Sequence, residues 1–177
     1  MAGKYSAGNV VAALISYFET DPTLTYPDDD TSKSKVSSYT ATWTATIGTN
    51  SWTISNFNNN NGGWNVIKCG RKSDPSVATI VNKEAYEKPI TQVVVTVSTL
   101  TAANAAKINS SKLYVATDAD FTDIIETVSV DLHQGENTFE VAQPTANCFY
   151  KLEFDCQKSA SNANGFVAIS QVLYKRQ

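Results

Sequence analysis

The side chains able to do chemistry are few and scattered. His133, the single histidine, is the one group whose ordinary pKa suits acid, base or imidazole-ligand work near neutral pH. It sits in DLHQGEN, a polar stretch that reads as a surface turn between strands. Catalysis there would require a nucleophile or carboxylate carried to it by the fold. Asp118, Asp120 and Asp123, in ATDADFTDIIE, space carboxylates in the way that surrounds a hard cation such as Ca²⁺. The run lacks the sixth-position glycine and the distal glutamate of an EF-hand loop, so it reads as a turn with a solvated tip ahead of an ion site. CxxC, HExxH, phosphate-loop and GxSxG patterns are missing, which counts against an enzyme. No catalytic residue, cofactor or metal is expected.

A third stretch is SNFNNNNGGW, Ser55 to Trp64, with five asparagines and two glycines ahead of a tryptophan. Asn and Gly tolerate positive φ and close their own turns, so the pattern is that of a hairpin connection. The amides of Asn59, Asn60 and Asn61 can also donate to and accept from hydroxyls, and Trp64 can offer a flat apolar face. A sugar-binding loop is therefore the sharper reading, against a Trp64 that simply packs in the core. An aggregation-prone tract is the remaining one, and polar residues without aromatics argue against it.

The elements that must position these residues are mostly strands. In YTATWTATI, Tyr39, Ala41, Trp43, Ala45 and Ile47 alternate with threonines, the period of a half-buried strand. Further strands are expected over 51–57, 64–69, 76–81, 90–98, 112–117, 124–130, 137–142, 149–156 and 166–174, separated mostly by Gly, Asn, Asp, Pro or Ser. In FYKLEFDC, Tyr150, Leu152, Phe154 and Cys156 should face a core and Lys151, Glu153 and Asp155 water. TAANAAKIN, 101–109, is the one helix-like connection among them. The implied fold is all-β, a mostly antiparallel two-sheet sandwich of jelly-roll style, with no repeat that would suggest a solenoid. The threonine row Thr40, Thr42, Thr44 and Thr46 suits either water or a neighbouring subunit.

Ahead of the sandwich, Val10, Val11, Leu14, Ile15 and Phe18 fall on one face of a helix expected over 6–20, with Ser6 as N-cap and Asp21 and Pro22 as its end. Residues 21–38, with two prolines, an acidic run and many serines, read as a linker or extended arm. The expected division is therefore 1–38, helix and arm, and 39–177, sandwich. The helix either covers the open end of its own sandwich or docks its apolar face on another subunit.

Composition bounds the rest. A chain of 177 residues fits one domain and buries roughly two-thirds of its unfolded surface. It is 42% apolar and 18% charged, below the charged share of about 25% in an average chain. A formal charge of −3 and a pI near 5.1 supply no basic field, which argues against nucleic acid or an anionic membrane. The lysines at 33 and 35 balance Asp28, Asp29 and Asp30. Ser16 and Glu19 interrupt the first apolar stretch and no small-residue cleavage site follows, so a signal peptide is not expected. No stretch approaches the ~20 apolar residues of a membrane span. Cys148 and Cys156, eight residues apart in or beside one strand, would lie about 26 Å apart, beyond disulfide reach. Three reduced, buried thiols are the simplest reading.

The C-terminal half, in PITQVVVTVST, KLYVATDADF, CFYKLEFDC and NGFVAISQVLYK, resembles the β-sandwich appendage modules of gut-bacterial surface proteins and of some of their phages, over roughly residues 40 to 175. That resemblance implies a non-catalytic, jelly-roll-like module for attachment or carbohydrate contact. The expectation is a virion structural protein, capsid-decorating or tail-associated, made in a host cytoplasm and held to other virion proteins or to copies of itself through Val10, Val11, Leu14, Ile15 and Phe18. The alternative is a carbohydrate-binding module of a bacterial surface protein, contacting glycan through Asn59, Asn60, Asn61 and Trp64.

Overall fold

A computed structural model describes residues 20–25, 36–59 and 66–177. Among them run eleven strands and one short helix: β1 (Thr23–Thr25), β2 (Thr42–Ile47), β3 (Asn50–Ser55), β4 (Ile67–Cys69), β5 (Ser76–Asn82), β6 (Ile90–Thr99), α1 (Ala102–Ala105), β7 (Ile108–Ala116), β8 (Ile124–Ser129), β9 (Gly135–Glu140), β10 (Phe149–Cys156) and β11 (Val167–Arg176). One sheet has the order β1-β11-β6-β9, with β4 also paired to β11; the other has the order β2-β3-β5-β10-β7-β8. Every strand pair is antiparallel.

The period-two pattern of the sequence explains why these sheets face each other. In β10, Tyr150, Leu152, Phe154 and Cys156 are all buried and the residues between them are not, so one pleat face enters the core and the other meets solvent. β5 and β7 flank β10 and present Ile80, Leu113 and Val115 on the same side. The opposing sheet brings Val93, Val95 and Val97 of β6 and Ile169, Val172 and Tyr174 of β11 into the same cluster. Aromatic contacts bridge the layers: Trp52 stacks on Tyr174 at 6.3 Å, and Tyr150 meets Tyr174 edge-on at 6.2 Å. The protein is thus an all-β, antiparallel two-sheet sandwich.

The ten strands expected from the sequence are all present, with ends moved by a few residues. In β2 the alternation holds: Ala45 is buried, Trp43 and Ile47 are half-buried, and Thr42, Thr44 and Thr46 are exposed, as is Thr40 just before the strand. TAANAAKIN yields only the four residues of α1, capped by Thr101, before the chain extends into β7.

One expectation is corrected. The segment 21–38 reads as a linker or arm, yet Thr23–Thr25 is a strand in register with Leu173, Val172 and Gln171 of β11. Leu24 is 2% exposed and belongs to the core. Asp21 and Pro22 reinforce the pairing: Arg176 N donates to Asp21 Oδ1 at 3.1 Å and Tyr174 N to the Pro22 carbonyl at 3.0 Å. Tertiary hydrogen bonding and one leucine's burial outweigh a local composition that favours a loop. The expected helix over 6–20, with Val10, Val11, Leu14, Ile15 and Phe18, lies outside the described residues but for Thr20.

Candidate functional site

The Asp118 turn uses its acid internally. Asp118 Oδ2 accepts from Thr122 N at 3.1 Å and Thr122 Oγ1 at 2.5 Å, and Oδ1 accepts from Asp123 N at 2.9 Å. These bonds, the Thr122 hydroxyl foremost, hold the Asp118 carboxyl below its ordinary range. Asp123 Oδ2 accepts from Thr117 Oγ1 at 2.6 Å, and Asp120 is exposed. The same grip fixes Phe121 at φ 56, a left-handed conformation rare for a bulky side chain. Among the described residues no three His, Cys, Asp or Glu side chains gather closely enough to hold a metal ion.

His133 is exposed, with Nδ1 2.9 Å from the Gln134 carbonyl oxygen. Its backbone N donates to Asn137 Oδ1 at 2.9 Å, and Asn137 Nδ2 donates back to the His133 and Gly135 carbonyls at 2.8 and 3.0 Å. The histidine thus belongs to a turn tied by one buried amide.

Of the asparagine loop, Asn59 is 7% exposed; its N donates to the Val36 carbonyl at 3.0 Å and its Oδ1 accepts from Val36 N at 2.6 Å. Asn58 Nδ2 donates to the Ser37 carbonyl at 2.6 Å. Both amides are turned onto residues 36 and 37 and away from solvent. Asn60, Asn61 and Trp64 lie outside the described residues.

Cys69, Cys148 and Cys156 are buried and unpaired. The Cys69 and Cys156 thiols face each other in the core. Burial first, and then that neighbour, pushes the Cys69 thiol up, so it is not an activated nucleophile.

Two shallow polar recesses lie among the described residues. One, of about 250 Å³, is lined by Tyr39, Arg71, Lys72, Asp74 and Asn164 among others. Its groups are occupied with one another: Arg71 pairs with Asp74 at 2.8 Å, and Lys72 N donates to Asn164 Oδ1 at 2.8 Å. The other, of about 220 Å³, lies where the β2–β3 turn, the loop from Lys83 to Pro89 and the end of β11 converge; Asn50, Ser51, Glu84, Tyr86, Glu87 and Arg176 help to line it.

That second recess is set in place by hydrogen bonds reaching far along the chain. Asn82, 1% exposed, accepts from Tyr150 N at 2.6 Å and donates to the Glu84 carbonyl at 2.8 Å. Lys83 N donates to the Ser51 carbonyl at 2.9 Å, and Tyr86 exchanges backbone bonds with Cys148 and Asn147 at 3.0 and 2.8 Å. Tyr86 is thereby pressed onto an aromatic floor, 5.2 Å from Tyr174 and 5.8 Å from Tyr150 between ring centres. Behind it, Trp52 Nε1 and the Tyr86 and Tyr174 hydroxyls are buried with no hydrogen bond of normal geometry. The indole N–H lies near enough to both hydroxyls to favour their ionised forms, yet desolvation dominates and pushes both phenols up. Sequence reading missed this place because its members come from β3, β11 and an unassigned loop.

Among known proteins, no family model and no curated protein matches the chain.

Proposed function

We propose that the chain is a non-catalytic, jelly-roll-like structural protein of a bacteriophage virion, decorating the capsid or associated with the tail and held to other virion proteins or to its own copies through its N-terminal segment. The observation that carries this reading is how residues 20–25 join the body. Leu24 is inserted in the core, β1 extends the sheet beside β11, and Asp21 and Pro22 are tied to Arg176 and Tyr174. A load applied upstream of Thr20 would pass directly into the sandwich and not through a slack tether. The resemblance of the C-terminal half to phage and bacterial appendage modules points the same way, and the groups most able to do chemistry, His133 and Asp118, are engaged in their own turns.

The test is a chain beginning at Thr20, compared with the full chain in phage assembly. The shortened chain should melt with the full one while losing incorporation into particles. Equal incorporation of the two would overturn the reading.

A further inference from the structure

Two of the three cysteines come to one place from opposite layers. Cys69 ends β4 in one sheet and Cys156 ends β10 in the other. Both are 0% exposed and belong to the same core cluster, and the Cys69 thiol is close enough to that of Cys156 to share a hydrogen bond with it. The chain beyond each strand is stitched to the chain beyond the other: Ser159 N donates to the Arg71 carbonyl at 2.9 Å and Gly165 N to the Gly70 carbonyl at 2.8 Å. These bonds hold the exits of β4 and β10 side by side, so the approach of the two sulfurs is built into the backbone and does not rest on side-chain rotamers alone. Cys148 has no such place, standing just before the opposite end of β10 and bridged to Tyr86.

Paired thiols in an apolar core have two forms that suit it. As thiols they behave as small hydrophobes and leave no charge to solvate. As a disulfide they stay apolar and add a covalent tie between the layers, joining residue 69 to residue 156 and so removing freedom from the unfolded chain. Conversion needs an oxidant. With a small disulfide such as oxidised glutathione, one cysteine thiolate attacks a glutathione sulfur, the S–S bond breaks and one glutathione leaves as its thiolate. The second cysteine thiolate then attacks the protein sulfur of the mixed disulfide and expels the other glutathione. The two cysteines give up two protons and two electrons in all, and two molecules of reduced glutathione carry them away. Cys69 reacts first, because β4 is three residues long whereas β10, with eight, is held between β5 and β7. With both thiols sealed in the closed fold, the exchange proceeds through openings of β4.

We infer that Cys69 and Cys156 form a redox-responsive staple between the two sheets, open as thiols in a reducing compartment and closed as a disulfide in an oxidising one, with Cys148 taking no part. Staple and virion assembly are independent, since either can fail alone.

The test equilibrates the full chain with reduced and oxidised glutathione at a series of ratios, with urea kept below the unfolding midpoint to speed opening, and counts free thiols after acid quenching and denaturation. Oxidising ratios should remove two of the three thiols, lower the mass by two hydrogens and, on proteolysis, yield one crosslinked peptide joining Cys69 to Cys156. The closed form should melt about 5–10 °C above the thiol form. Dithiothreitol should return it to the lower temperature, and Cys148→Ala should leave the difference intact. Cys69→Ala should abolish the difference; if that variant does not fold, the peptide map of the unsubstituted chain decides alone. Four outcomes overturn the staple: three free thiols at every ratio, a chain that stops at the glutathione adduct, a crosslink through Cys148 or between chains, or a closed form that melts below the open one.

Discussion

Asp118 accepts three hydrogen bonds from the two residues that close its turn, and its acidity is the measurable trace of that role. Because the folded carboxyl is held below the unfolded value, the turn draws stability from Asp118 at any pH above about 4. That contribution fades as pH falls through the lowered pKa, because protonation removes the acceptor. An NMR titration should therefore show Asp118 ionising below the ordinary aspartate range, and Asp118→Asn should abolish the acid-side change in Thr122 and Asp123 amide shifts. A titration of Asp118 at the ordinary aspartate value would contradict this. The spacing of Asp118, Asp120 and Asp123 was readable as a solvated turn because an Asx-type turn depends on residues only four or five apart. Tyr86 was not readable in the same way. Nothing in KEAYEKP signals a buried ring, since the place of Tyr86 depends on Tyr150 and Tyr174, which only the two-sheet packing brings near.

Among the elements, β2 and β10 were legible because long alternation leaves little choice of face; a one-residue slip would turn every buried side chain outward. β1 was not, because three residues between prolines carry no period and the pairing partner lies at the far end of the chain. Its importance can be measured by moving a boundary. A chain starting at Thr20 should melt like the full protein, whereas one starting at Tyr39 loses β1 and uncovers the slot filled by Leu24. Burying such a leucine is worth about 1.5–3 kcal/mol, and Leu24→Ala should cost about 2–5 kcal/mol, as core truncations do. Denaturant melts of the three chains check both statements; unchanged midpoints for Leu24→Ala and for the Tyr39 start would mean that β1 is a loose appendage. The β4 to β11 corner is similarly constrained at Gly70, whose φ of 89° and close approach to the Phe166 ring leave no room for a side chain.

For the whole molecule, the aromatic cluster predicts an alkaline limit. Burial pushes Tyr150 up to about 12, and Tyr86 and Tyr174 higher still. Unfolded tyrosines ionise near pH 10, so between there and the folded values the unfolded chain releases protons that the folded one retains, and stability falls as pH rises. Stability should be level from neutral pH to about 8.5, begin to fall there as the unfolded thiols of Cys69 and Cys148 ionise while burial keeps the folded ones protonated, and decline more steeply above about 10, with phenolate absorbance from these three rings appearing together with unfolding. Phenolate signal from all eight tyrosines while the fold persists would refute it.

The ties that hold β1 also settle where the body meets the rest of its chain. Arg176, near one end of the sandwich's path, donates through Nη1 to the Thr20 carbonyl at 3.2 Å and through its backbone to Asp21, so the two ends of the described body leave it side by side. A unit with neighbouring ends can be spliced into a surface loop of a host protein without forcing that loop apart, and can be opened elsewhere and rejoined at Thr20 and Arg176 by a short bridge. The sandwich is in that sense a transplantable cassette, open to circular permutation.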